Sequence, residues 1–298
     1  MPKPLRTLGI GAVTVGLCVA LIAVAGYVLV RFTDVRVPFI SDTCRAYGND
    51  HVVRLKPTQL TYAATIAAVG TTHGMGDQGI AVALATALQE SKLHNLSHGD
   101  RDSVGLFQQR PSQGWGTAEQ LQDPHYASTE FFIGLRRVKG WAAMSIGDAA
   151  QAVQRSAHPT AYGKWAADAT ALTRAFTGQE IRAVTCKLRE SAKLSGGKAA
   201  DGIRREYARD YDNPNLRTSV NGEGPELTLK VPVNRTSGED RASGSVTGWR
   251  AAHWFVAKSR DYGVTRVSYA GARWSASSGK WEKRNSAEAA ELIIQLKG

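Results

Sequence analysis

Apolar residues follow three patterns along the chain. Leu8 to Val30 is one unbroken uncharged run. From Pro57 onward, apolar residues recur at the three-and-four spacing of helices that bury one face. Pro57 to Val69 is lined with small residues. In Gly79 to Ser91 the positions Ile80, Ala83, Leu84, Ala87 and Leu88 share one stripe. Asp123-Pro124 opens a helix carrying Tyr126, Phe131, Leu135 and Val138, with proline at the first turn, where its missing N–H costs nothing. Ser145 with Asp148 forms a capping pair before Ala149, Ala152 and Val153. Thr160 precedes a stripe of Tyr162, Trp165, Ala169, Leu172 and Phe176. A loop rich in Gly, Asp and Ser runs from His94 to Val104. Beyond position 186 the helical period fades.

The last quarter reads differently. Glu226 to Val233 alternates as a strand does, Trp249 to Tyr262 is an amphipathic helix, and Val264 to Ala270 is a second strand. Ser275 to Lys280 resembles a turn between Trp274 and Trp281, and Glu291 to Lys297 closes as a strand. The expected architecture is therefore a transmembrane helix in residues 1–30 and a mainly α domain of five or so helices in 44–186. A charged, Gly- and Asn-rich linker in 187–223 and a small α/β domain in 224–298 complete it.

The apolar run reaches about 35 Å as a helix, enough to cross a hydrocarbon core of ~30 Å. Lys3 and Arg6 precede it, which favours an N-terminus held inside. Membrane contact through residues 8–30 is the expectation. Cleavage as a signal peptide at Ala23-Val24-Ala25 is the alternative. Both place everything after Arg31 outside the cytoplasm, on the cell membrane or secreted.

Charge and cysteines sharpen this. A net charge of +11 draws the protein to polyanions. No RNP motif, zinc finger or dense Lys/Arg block accompanies it, so nucleic acid is not the expected partner. Of the three cysteines, Cys18 lies inside the apolar run. Cys44 and Cys186 lie in the exported part, where oxidation is permitted, and bracket the helical segment. A Cys44–Cys186 disulfide is expected, with two free thiols as the alternative. Loop-closure entropy puts its worth at about 5 kcal/mol at most.

Glu90 breaks the pattern. It falls three residues after Ala87 and seven after Ala83, on the inward face near a helix end. A carboxylate there needs partners, or it stays protonated. A carboxyl group with a raised pKa is what glycosidic cleavage uses to protonate its leaving oxygen. A glutamate swung out to solvent at the last turn is the plain alternative.

Around it stand Gln89-Glu90-Ser91, then Gly99-Asp100-Arg101-Asp102-Ser103-Val104-Gly105-Leu106-Phe107-Gln108, then Gln113-Gly114-Trp115-Gly116. This set resembles the lysozyme-like superfamily of lytic transglycosylases and goose-type lysozymes, in exported Gram-positive cell-wall proteins. The resemblance covers roughly residues 44–186 and implies a lysozyme-like domain that cuts peptidoglycan glycan strands between N-acetylmuramic acid and N-acetylglucosamine. It assigns Glu90 the acid role and Asp100 a water-placing role, with Asp102 as the alternative. Ser91 is expected to steady Glu90 or the substrate, and Gly105 and Gln108 become substrate-side residues. In transglycosylases the glutamate then takes a proton from the sugar's own hydroxymethyl, giving a 1,6-anhydro product.

The sequence also departs from that pattern. The Ala-Tyr-Asn-Ala-Gly stretch of transglycosylases has only Gln151-Ala152-Val153-Gln154-Arg155-Ser156 as a counterpart. Gln154 is then expected to replace the Asn, and Tyr162 to reach the site from the next helix. A weakly active or non-catalytic wall-binding scaffold is the rival implied by this departure. His94 and His98 flank a loop with no third ligand placed by spacing, so neither metal nor cofactor is expected. The tryptophans of the last quarter read as core.

Overall fold

The computed structural model describes residues 42–158, 160–189, 192–221, 224–230, 244–284 and 291–298. Two strands come first, β1 (Thr43–Gly48) and β2 (His51–Leu55), and five helices follow. These are α1 (Pro57–Thr72), α2 (Gly76–Ser91), the short α3 (Ala118–Leu121), α4 (Pro124–Arg136) and α5 (Ile146–Gln154). Then come α6 (Ala166–Thr177), β3 (Val184–Lys187), α7 (Gly196–Tyr211), β4 (Leu216–Asn221) and β5 (Gly224–Lys230). The C-terminal part holds α8 (Val246–Ala257), the short α9 (Ser259–Tyr262), β6 (Val264–Tyr269), β7 (Ala272–Ser275), β8 (Lys280–Lys283) and β9 (Glu291–Leu296).

The sequence expectation of a mainly α fold is overturned. The strands form two antiparallel sheets, one of three strands in the order β2-β1-β3 and one of six in the order β4-β5-β9-β6-β7-β8. With nine α-helices among the described residues, the architecture is mixed α/β. The central strand of the three-stranded sheet, β1, escapes sequence reading because its buried positions, Cys44, Ala46 and Gly48, are small and give little hydrophobic signal. The expected transmembrane helix lies outside the described residues. Among the described residues no helix is long and apolar enough to cross a membrane.

The segment 187–223 carries a helix where the sequence suggested a linker. Ala199, Ala200, Ile203 and Tyr207 occupy one buried stripe of α7, and charged residues cover the rest. Helix α7 packs on α1 and α9. Asp42–Gly298 accordingly forms one compact unit. Helix α8 is its keystone, touching α1, α6, β3 and β6. His253 on α8 shows the closeness: its Nε2 accepts from the Ala183 N–H at 2.9 Å, and its Nδ1 donates to the Ala175 carbonyl at 2.7 Å. Burial of the ring pushes its pKa down to about 4.

A Cys44–Cys186 disulfide staples β1 to β3 at directly paired positions, closing a separation of 142 residues. The small apolar faces of α1 and α2 pack together, with α4 and α6 alongside. That packing brings the end of α2, where Glu90 sits, beside the end of α5 and the turn before α6.

Candidate active site

Glu90 is the penultimate residue of α2 and is half-buried. The helix stops there because Lys92 adopts a left-handed conformation at the C-cap (φ 55°) and Leu93 follows at φ 57°. The chain then turns into the loop that holds the glycine-rich motif. Ser91, buried, fastens helix to loop. Its hydroxyl hydrogen-bonds the Ala87 carbonyl at 3.0 Å and the Leu106 carbonyl at 2.7 Å. Ser91 thus steadies the backbone that carries Glu90.

Two donors converge on one oxygen of Glu90. Tyr162 Oη donates to Oε1 at 2.5 Å, and Gln154 Nε2 donates to the same Oε1 at 3.1 Å. Gln154, the last residue of α5, also donates to the Phe107 carbonyl at 2.8 Å, so one amide holds both the carboxylate and the motif loop. Tyr162 is 1% exposed. Burial, and then the neighbouring Glu90 carboxylate, push its phenol well above the ordinary tyrosine range, so it stays a proton donor. Oε2 of Glu90 receives no hydrogen bond among the described residues. Beside it, Trp165 donates its indole N–H to Gln89 Oε1 at 2.9 Å, and Lys92 Nζ lies 4.2 Å from the Trp165 ring centroid.

Gln154 also forms part of the wall of a groove of about 750 Å³ between α4 and α5. Trp115, Glu130, Arg137 and Arg155 line it as well. Glu90 does not itself line this groove; Gln154 links the two, bracing one carboxyl oxygen of Glu90 while the other takes no hydrogen bond among the described residues.

The remaining candidates shape the loop. Gly105 has φ 81°, and a Cβ there would meet the Leu121 carbonyl oxygen at 2.4 Å. The close approach it permits is made by the chain's own backbone. Gln108, itself at φ 49°, accepts from Ser103 Oγ at 3.0 Å and donates to the Gly105 carbonyl at 3.2 Å. It closes the loop on itself, and no hydrogen bond joins it to Glu90. Asp100 is exposed, and its carbonyl accepts from the Ser103 N–H at 3.1 Å. Asp102 is committed to the loop. Its Oδ2 accepts from the Ser112 N–H at 2.7 Å, and its Oδ1 accepts from Arg110 Nε at 2.7 Å and Ser112 Oγ at 3.0 Å. Those bonds, the backbone one first, hold its carboxyl well below the usual carboxylate range. Neither acid hydrogen-bonds Glu90.

Among the described residues no group of His, Cys, Asp and Glu is arranged to hold a metal ion. Trp165, placed against Gln89 and Lys92, is a site residue that sequence reading assigned only to a helical stripe. No known protein family matches the sequence, and no curated protein matches it.

Proposed function

We propose that this protein cleaves the glycan backbone of peptidoglycan as a lytic transglycosylase, with Glu90 as general acid and then general base. One observation carries the proposal: Glu90 sits at a helix end with Oε1 held by Tyr162 and by Gln154, itself a wall residue of a groove, and with Oε2 free of hydrogen bonds among the described residues. The resemblance of the motif from Gly99 to Gln108 to that superfamily supports it.

The division of labour follows from the geometry. Tyr162 and Gln154 fix the rotamer of Glu90 and leave Oε2 to meet the substrate. In its protonated form Glu90 passes a proton to the glycosidic oxygen between N-acetylmuramic acid and N-acetylglucosamine as that bond breaks. As carboxylate it then takes the proton of the muramic acid hydroxymethyl, whose oxygen closes onto the anomeric carbon. The 1,6-anhydro product needs no water. This outcome is preferred to hydrolysis because Asp100 is exposed and Asp102 is bound to Arg110 and Ser112. Neither carboxylate hydrogen-bonds Glu90 among the described residues.

Incubating the detergent-solubilised full-length protein with purified sacculi tests this. Mass spectrometry of the released fragments should find 1,6-anhydro ends. Reducing ends would make the protein a hydrolase and restore a role for Asp100. No release at all would leave a wall-binding scaffold and remove the proposal.

A further inference from the structure

We propose that a second, basic groove, on the outer face of the three-stranded sheet, binds a base-free phosphodiester polymer of the poly(glycerol phosphate) type. The groove has a volume of about 480 Å³ and is lined by Arg45, Arg182, Lys187 and Lys280, with Tyr47 and Trp281. Among the described residues no carboxylate lines it. The four cationic side chains make no ion pair or side-chain hydrogen bond among the described residues, whereas Arg110, Arg174 and Arg209 elsewhere are each paired.

The sheet register concentrates charge on this face. Strand β1 alternates strictly, burying Cys44, Ala46 and Gly48 and exposing Thr43, Arg45 and Tyr47. Arg45 lies directly opposite Arg54 of β2 on one side and Thr185 of β3 on the other. Thr43 lies opposite Lys187. Two arginines paired across neighbouring strands, which run ~4.8 Å apart, repel one another and cost folding free energy. A ligand carrying successive negative charges across the strands offsets that repulsion.

The far wall of the groove is fixed. Thr185 Oγ1 hydrogen-bonds the Gly279 carbonyl. Gly279 has φ 64°, and a Cβ there would fall 2.8 Å from Lys187 Cα, so the β7–β8 turn sits directly on β3. Leu188 N donates to the Ala276 carbonyl at 2.9 Å. This builds a concave channel, the shape for a strand rather than for a flat bilayer.

The aromatic groups argue against nucleobases. The Trp281 N–H is spent on the Val184 carbonyl at 2.8 Å, and its ring packs edge-on against Trp249 at 5.3 Å. It is a wall, not an open stacking platform. Tyr47 is then the one exposed ring in the groove, and four cations beside a single ring, with no run of stacking surfaces, fit a phosphate chain lacking bases.

The test uses full-length protein in phosphatidylcholine nanodiscs and fluorescent poly(glycerol phosphate) of defined length. Affinity should fall with rising salt. The Arg45→Gln/Lys187→Gln/Lys280→Gln variant should bind at least about tenfold more weakly and lose about one unit of salt slope per cation removed. Its Tm should match or exceed the parent's, since Arg45→Gln relieves the repulsion with Arg54. Unchanged affinity in the variant would overturn the proposal. So would a markedly lower Tm, which would make the charges structural. Tighter binding of oligo-dT of matched charge, or binding gained only in nanodiscs containing phosphatidylglycerol, would assign the groove to nucleic acid or membrane instead. None of these side chains lies at Glu90, so the release of wall fragments reports separately on the first site.

Discussion

Tyr162 donates its phenolic hydrogen to Glu90 Oε1 at 2.5 Å across 72 residues of sequence. The two meet because α2 ends where the turn entering α6 begins. Gln154 completes the clamp from α5.

The shared oxygen makes the two donors interdependent. A hydrogen bond to a charged group contributes about 1.5–3 kcal/mol. Tyr162→Phe should therefore slow wall-fragment release by roughly 10- to 100-fold. Gln154→Ala should do at least as much, because it also frees the Phe107 carbonyl. In a double-mutant cycle read by release rate, the two effects should be non-additive by about 0.5–3 kcal/mol. Additive losses would show that the donors act on separate steps.

Helix ends and strand alternation were open to sequence reading. Asp123 caps α4 by accepting from the His125 and Tyr126 N–H groups, and Ser145 caps α5 by accepting from the Asp148 N–H, as the residue types suggested. Strands β5, β6 and β9 lie within two or three residues of where alternation put them, and Trp274 pairs with Trp281 across the expected turn. Strand β1 of the first sheet was not legible, because Cys44, Ala46 and Gly48 bury too little apolar surface to announce a strand. Helix α7 was hidden for a related reason: its four apolar contacts are diluted by Lys198, Asp201, Arg204, Arg205 and Glu206. At the site, the position of Glu90 on an inward face could be read from helical spacing. Its clamp by Gln154 and Tyr162 follows from the missing Tyr-Asn stretch and not from the helix period, which says nothing of which helix ends meet. Gln108 and Gly105 were legible as motif residues but not as loop braces, because their partners, Ser103 and Leu121, depend on the loop's turn.

His253 gives the fold an acid-sensitive joint between α8, α6 and β3. Its folded pKa, about 4, lies below the ordinary 6.5, so the unfolded chain binds the extra proton. The stability it contributes is full above pH 6.5 and is lost as pH falls from 6.5 toward 4, to the extent of about 3 kcal/mol. Urea denaturation across that range should show the decline. His253→Gln should be less stable at pH 7 and flatter below it. An equally steep decline in the variant would locate the acid sensitivity elsewhere.

Lys258, 0% exposed, ties α8 to α7 and α1. Its Nζ donates to Glu206 Oε1 at 2.5 Å and to Thr65 Oγ1 at 2.7 Å, with Asp210 Oδ2 at 3.9 Å. Burial opposes its charge, but Glu206 and Asp210 together outweigh burial and hold the ammonium above the ordinary lysine value. Lys258→Met leaves Glu206 without its cation and should cost about 3–5 kcal/mol in chemical denaturation. Adding Glu206→Gln should recover part of that loss. A double variant no more stable than the single one would mean that packing, not charge, sets the cost.

Glu90→Gln keeps the side chain's size and removes its ability to give and take a proton. The rate of anhydro-fragment release from sacculi, measured for Glu90→Gln and its parent at equal sacculus occupancy, therefore bears on everything proposed for this site. Release should fall by at least about 100-fold while sacculus binding is retained. Release at the parent's rate would contradict the assignment of Glu90 as the proton donor.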